Sequence, residues 1–126
     1  MDVRLQPSPF DPGALLTEFT AKQSASGAVV SFTGITRDLD GALIRMEIEH
    51  YPAMTEKALA SIARQAQDRW DLEDILILHR YGSLLPQEPI MIVATASKHR
   101  KAAFEAADFL KDYLKSRAPI WKKEIN

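Results

Sequence analysis

The chain reads as a mixed α+β domain, and three observations carry that reading. Strand-like and helix-like segments follow the order helix, strands, helix, strands, helix, strand, without the regular alternation of a parallel-sheet protein. Residues 44–49 alternate apolar and charged side chains with the period of two of a half-buried strand. Residues 54–70 and 99–117 instead space their apolar side chains at three and four, as amphipathic helices do.

The elements follow in order. Turn formers Pro7, Ser8, Pro9 and Pro12 come first, after which Ala14, Leu15, Leu16 and Phe19 supply one face of a short helix. Residues 27–33 are rich in β-branched and aromatic side chains and read as a largely buried strand stopped by Gly34. Loop residues 35–41 come next. In the following strand Ile44, Met46 and Ile48 are expected on the dry face, with Arg45, Glu47 and Glu49 on the wet one. Beyond Tyr51-Pro52 a helix places Leu59, Ile62, Ala63 and Ala66 inside, with Met54 and Trp70 also read as packing residues. Residues 75–81 and 90–96 are two more strands joined by the turn-rich segment 82–89, and the second is apolar enough to lie in the interior. The long helix over 99–117 buries Ala103, Ala106, Ala107, Leu110 and Leu114. It stops because Pro119 disfavours helical geometry at Ala118. Residues 120–124 form a short final strand. With no repeat or linker in the sequence, residues 1–126 are expected to form one domain.

Composition narrows the function. No apolar run approaches the roughly 20 residues of a membrane span, and residues 1–5 lack the pattern of a secretory leader, so a cytoplasmic location is expected, without membrane association. The absence of cysteine excludes disulfides, thiolate metal ligands and a cysteine nucleophile from this chain. Net charge is only −1, yet residues 98–126 hold eight Lys/Arg against four Asp/Glu. A locally basic tail on a nearly neutral protein favours a small anionic ligand over nucleic acid.

His50, His79 and His99 have neither metal-ligand spacing nor cysteine companions, so no metal is expected. Dinucleotide and P-loop glycine patterns are missing, as is the GxSxG of a serine nucleophile. Basic groups remain. His99-Arg100 stands where a helix N-terminus and a guanidinium favour an anion, although on this pair alone a solvated helix start is the favoured account. Lys115 sits at a helix end, where a cation also serves stability alone. In the final strand Lys122 projects with Ile120, while Lys123 projects with Trp121. If that strand folds back along the helix, Lys115 and Lys122 approach. Like charge and desolvation would then depress a lysine pKa toward values useful in acid–base or nucleophilic work.

Four stretches in this order carry a family resemblance: residues 27–37 (GAVVSFTGITR), 49–59 (EHYPAMTEKAL), 97–100 (SKHR) and 112–124 (DYLKSRAPIWKKE). Together they resemble the large, catalytic subunit of molybdopterin synthase over roughly residues 27–124. The resemblance implies an α/β-hammerhead type of α+β fold, a mixed sheet packed with helices. It also implies a homodimer within a heterotetramer, each large subunit binding a small ubiquitin-like subunit whose C-terminal Gly-Gly carries a thiocarboxylate. The implied reaction is a sulfurtransferase step made twice, converting cyclic pyranopterin monophosphate into the dithiolene of molybdopterin. The partner supplies the sulfur, in keeping with a chain that has no cysteine, and no cofactor is implied.

Carried over by motif, Lys115 and Lys122 are the catalytic lysines. Ile35, Thr36, Arg37, His99, Arg100, Lys115, Lys122, Lys123 and Glu124 match substrate-contacting positions, with His99-Arg100 reaching a pocket shared between two large subunits. Two departures stand out: Asp38 replaces an Asn common in relatives, with a compact loop after it, and relatives usually continue past the position of Asn126 with a polar and aromatic tail. The competing readings are a noncatalytic module for a phosphate ligand or a ubiquitin-like protein, and a nucleic-acid binder. The latter is disfavoured by the lack of interleaved exposed aromatics.

Overall fold

The computed structural model describes residues 1–38 and 41–126. Leu39 and Asp40, within the loop expected over 35–41, lie outside the described residues. Seven strands and three helices are described: β1 (Asp2–Gln6), α1 (Pro12–Ala21), β2 (Ala28–Ile35), β3 (Arg45–His50), α2 (Pro52–Trp70), β4 (Asp74–Arg80), β5 (Gly82–Leu84), β6 (Pro89–Ser97), α3 (Arg100–Ser116) and β7 (Ile120–Ile125). The strands make a four-stranded sheet in the order β1-β4-β6-β2 and a three-stranded sheet in the order β5-β3-β7. The first sheet is mixed, because β1 runs parallel to β4 while β4–β6 and β6–β2 are antiparallel. The α+β expectation therefore holds, in two sheets.

Alternation along β4 sets the layers. Leu76 and Leu78, with Ile92 and Ala94 of β6, pack against Phe19 of α1. Ile75 and Ile77 turn to the other face, where Leu59 and Ile62 of α2, Leu110 and Leu114 of α3, and Met46 and Ile48 of β3 close the main core. Both faces of the central strands are thus covered, which explains why residues 75–80 and 90–97 are buried throughout.

Several local expectations need correction. Residues 2–6 form the edge strand β1, since Val3 and Leu5 pack on the main core, and the turn-rich segment 82–89 contains the short strand β5. Gly34 does not stop β2, which continues to Ile35 through a register shift at Gly34/Ile35. A Cβ at Gly34 would meet Cγ of Met91 at 3.0 Å, so the missing side chain leaves room for the Met91 side chain. Ile44 is 56% exposed just before β3, because only Met46 and Ile48 reach the core. Met54 is 57% exposed on the outer side of α2, whereas Trp70 does pack against the core.

Two tethers position the chain near its basic end. The buried Thr55 hydroxyl accepts from the Tyr51 N–H at 3.1 Å and donates to the Pro119 carbonyl at 2.9 Å, locking the start of α2 onto the turn between α3 and β7. Buried Arg80 donates to the Glu88 carboxylate at 3.0 Å and to the Pro7 carbonyl at 2.9 Å. Glu88 in turn accepts from the Leu85 N–H at 2.7 Å. That N–H, ahead of the guanidinium, holds its carboxyl below the usual range despite some desolvation. The backbone of this braced turn exchanges hydrogen bonds with Thr36, at 2.9 Å from the Thr36 N–H to Glu88 and 2.7 Å from the Gln87 N–H to Thr36.

Candidate active site

The turn at residues 117–119 reverses the chain so that β7 returns beside the end of α3. The helix ends at Ser116, and the N–H groups of Arg117 and Ala118 both reach the Tyr113 carbonyl at 2.9 Å. Because β7 pairs antiparallel with β3, Lys122 stands opposite Ile48 and Lys123 opposite Glu47. Lys122 therefore leaves the strand on the Ile48 side, and Lys123 leaves on the wet side.

A cleft of about 560 Å³ opens at this junction, within the size range of small-ligand sites. Its basic side chains come from three separate segments: Arg37 after β2, Lys111 and Lys115 from α3, and Lys122 from β7. Phe32, Gly34 and Ile35 of β2 with Ile90 and Met91 of β6 give it an apolar wall. Lys111 is neutralised by Asp108 at 2.7 Å and Asp112 at 3.1 Å, which raise its pKa. Lys115 and Lys122 have no carboxylate partner among the described residues, so the cleft keeps net positive charge. Lys122 is reached by solvent, yet desolvation and then the positive charge of Lys115 push its pKa below the usual lysine value. The expected approach of the two lysines is thus present, with the electrostatic consequence expected of it.

The remaining sequence-derived positions divide. Ile35 and Arg37 line the cleft, whereas Thr36 is 1% exposed between them, its hydroxyl buried without a partner. Lys123 lines a second groove with Arg45, Glu47 and Trp121, adjoining the cleft through Lys122, and Glu124 stands opposite Met46 without lining the cleft. His99 caps the N-terminus of α3 and Arg100 begins it. Fifteen residues separate Arg100 from Lys115, about 22 Å along a helix axis, so one copy of the chain does not bring them together. Phe32, Met91 and Asp112 also line the cleft; Phe32 and Asp112 fall inside the family motifs, whereas Met91 reads in the sequence only as part of an interior strand.

Two sheets packed with helices, with a basic cleft where α3 meets β7 and a lysine there whose pKa lies below its usual value, are the fold and site of a small enzyme subunit. Residues 5–117 match the family model described as MoaE protein. The chain belongs to the MoaE family. It is 58% identical over 125 residues to the molybdopterin synthase catalytic subunit of Cereibacter sphaeroides, an alignment covering 99% of this chain and 86% of that protein. The solved molybdopterin biosynthesis MoaE protein of Burkholderia ambifaria superposes with a TM-score of 0.88 at 46% identity, covering 99% of this chain and 83% of that one. A protein–protein complex of subunits 1 and 2 of the molybdopterin-converting factor of Helicobacter pylori gives a TM-score of 0.85 at 22% identity, covering 97% and 83%, a likeness of fold. These relatives favour the enzyme over the noncatalytic module.

Proposed function

We propose that this chain, as a molybdopterin synthase catalytic subunit, converts cyclic pyranopterin monophosphate to molybdopterin in the cleft between α3 and β7, taking one sulfur from a small subunit's C-terminal thiocarboxylate in each of two successive transfers. The observation that carries this reading is the convergence of Arg37, Lys115 and Lys122 from three segments on one cleft. Arg37 supplies a planar, permanently charged donor suited to the phosphate. Lys115 donates to the oxygen that leaves as each C–S bond forms. Lys122, its pKa lowered, is the group best placed to take up a proton or attack the acyl carbon. Ile35 and Thr36 shape the approach to Arg37, and Lys123 and Glu124 extend the contact surface along β7.

The cleft of one copy lacks His99 and Arg100, and the reading places those two residues in the cleft of a second copy. The working unit is then a homodimer carrying two small ubiquitin-like subunits, with residues 1–126 acting as one catalytic domain in the cytoplasm. No helix of the described residues is long and apolar enough to cross a membrane. The direct test mixes the folded chain with thiocarboxylated small subunit and cyclic precursor and assays for dithiolene product. Formation of the dithiolene is expected, and a folded, associated pair that yields none refutes the proposal.

A further inference from the structure

Arg37 is exposed, so packing does not fix its side chain, and its place in the cleft depends on the backbone that carries it. That backbone has just left the sheet. The last pair of the β2–β6 ladder sets Ile35 opposite Pro89, which has no N–H to give. The next two bonds come from the turn before β6 instead. The Thr36 N–H donates to the Glu88 carbonyl at 2.9 Å, and the Gln87 N–H donates to the Thr36 carbonyl at 2.7 Å. Buried Thr36 is thus held through both its N–H and its C=O, one residue before Arg37.

The turn that makes this clamp is strained at one position. Over Leu85-Pro86-Gln87-Glu88 the Glu88 N–H returns to the Leu85 carbonyl at 3.2 Å. Pro86 suits the second place of such a turn, but Gln87 in the third has a φ of 72°, in the left-handed region that favours glycine. Strain of this kind persists only where the surroundings hold it. Here the Glu88 carboxylate does so, accepting from the Leu85 N–H at 2.7 Å with one oxygen and from Arg80 at 3.0 Å with the other. Buried Arg80 is anchored in its turn, donating to the carbonyls of Pro7 at 2.9 Å and Ser83 at 3.4 Å.

We propose that Arg80 and Glu88 are positioning residues for Arg37: their ion pair holds the strained turn at residues 85–88, and the turn holds Thr36 by its backbone so that the Arg37 guanidinium is set at the cleft before an anion arrives. Every link from Pro7 to Thr36 is a hydrogen bond of the fold. Such preorganisation spares the anion the cost of ordering the side chain that meets it. Because the Arg80 charge is buried and paired, it orders Arg37 without competing for the anion. That Arg37 meets a substrate phosphate rests on the synthase reading; that the brace orders Arg37 does not.

The test uses the full chain with inorganic phosphate as the probe, without partner or precursor. Glu88→Ala removes both acceptors, whereas Glu88→Gln keeps an oxygen for the Leu85 N–H and gives up the charge opposite Arg80. In Glu88→Ala the Thr36 and Gln87 amides should exchange hydrogen about tenfold faster or more, while amides of the central strand β6 stay protected. Unchanged rates overturn the brace. Phosphate, titrated against the NMR resonance of the Arg37 Nε–H, should bind the wild type saturably and Glu88→Ala about tenfold more weakly, the size expected for reordering a long side chain on binding. Glu88→Gln should fall between them. Phe19→Leu loosens the α1 side of the large sheet and should leave phosphate affinity unchanged, which separates a general loss of stability from a misplaced Arg37. Wild-type affinity in folded Glu88→Ala, no saturable shift of Arg37 in the wild type, or an equal loss in Phe19→Leu each overturns the proposal. If Glu88→Ala does not fold, Glu88→Gln carries both readings, and wild-type values there overturn it. Neither measurement uses the thiocarboxylate or the cyclic precursor, so failure to form dithiolene leaves them interpretable, and their failure leaves the sulfur-transfer reading standing.

Discussion

His79 and Lys122 are both bases that their surroundings push toward the neutral form, and for both the leading cause is loss of water. For His79 the consequence reaches stability. In the unfolded chain the ring takes up a proton below about pH 6.5, whereas in the fold it stays neutral down to about 4. Between those values the unfolded state binds more protons, so the stability is complete above the upper one and is lost as pH falls toward the lower. The gap corresponds to about 3 kcal/mol. Urea denaturation at about pH 7 and about pH 4 should therefore show the wild type losing roughly that much more than His79→Gln. Equal losses would mean that the ring is not held neutral. The role of His79 was invisible in the sequence, where the three histidines could be judged only against metal-ligand spacing. Its effect comes from complete burial on the inner side of β4, which only the fold reveals.

The helices and the long strands were legible because each carries its own period, as with Leu59, Ile62, Ala63 and Ala66 in α2 or Met46 and Ile48 in β3. The errors fall where pairing with a distant segment decides the conformation. Residues 2–6 become a strand only through parallel pairing with β4, and residues 82–84 only through β3. Met54 looked like a packing residue by type, but its position on the outer side of α2 leaves it in water. Thr55, unremarked in the sequence, is the residue that ties α2 to the α3–β7 turn. Thr55→Val fills the same space but strands the Tyr51 N–H and the Pro119 carbonyl, so stability should fall by about 1–3 kcal/mol in urea denaturation. No loss would show that the tether carries no weight.

For the molecule as a whole, the cleft was legible in part. The reversal at residues 117–119 made the meeting of Lys115 and Lys122 foreseeable, whereas the contribution of Arg37 depended on β2 lying beside β6, a contact no local pattern announces. The separation of Arg100 from Lys115 along one helix leads to a prediction about assembly. If each working site takes Lys115 from one copy and Arg100 from the other, Lys115→Ala and Arg100→Ala chains should each be nearly inactive alone. Mixed and allowed to exchange, they should recover activity up to about a quarter of the sites, since half the dimers are hybrids and each hybrid rebuilds one intact site. No recovery despite exchange, shown by mass spectrometry of the dimers, would confine the site to one copy.

The cleft between α3 and β7 as the sulfur-transfer centre is tested most directly by dithiolene formation with Lys115→Ala, assayed beside the wild type with thiocarboxylated small subunit and cyclic precursor. Loss of an acid–base group should slow product formation about 100-fold or more. Thermal stability should change little, because an exposed lysine in the last turn of a helix contributes at most about 1 kcal/mol. Wild-type turnover by the folded Lys115→Ala variant would contradict the assignment.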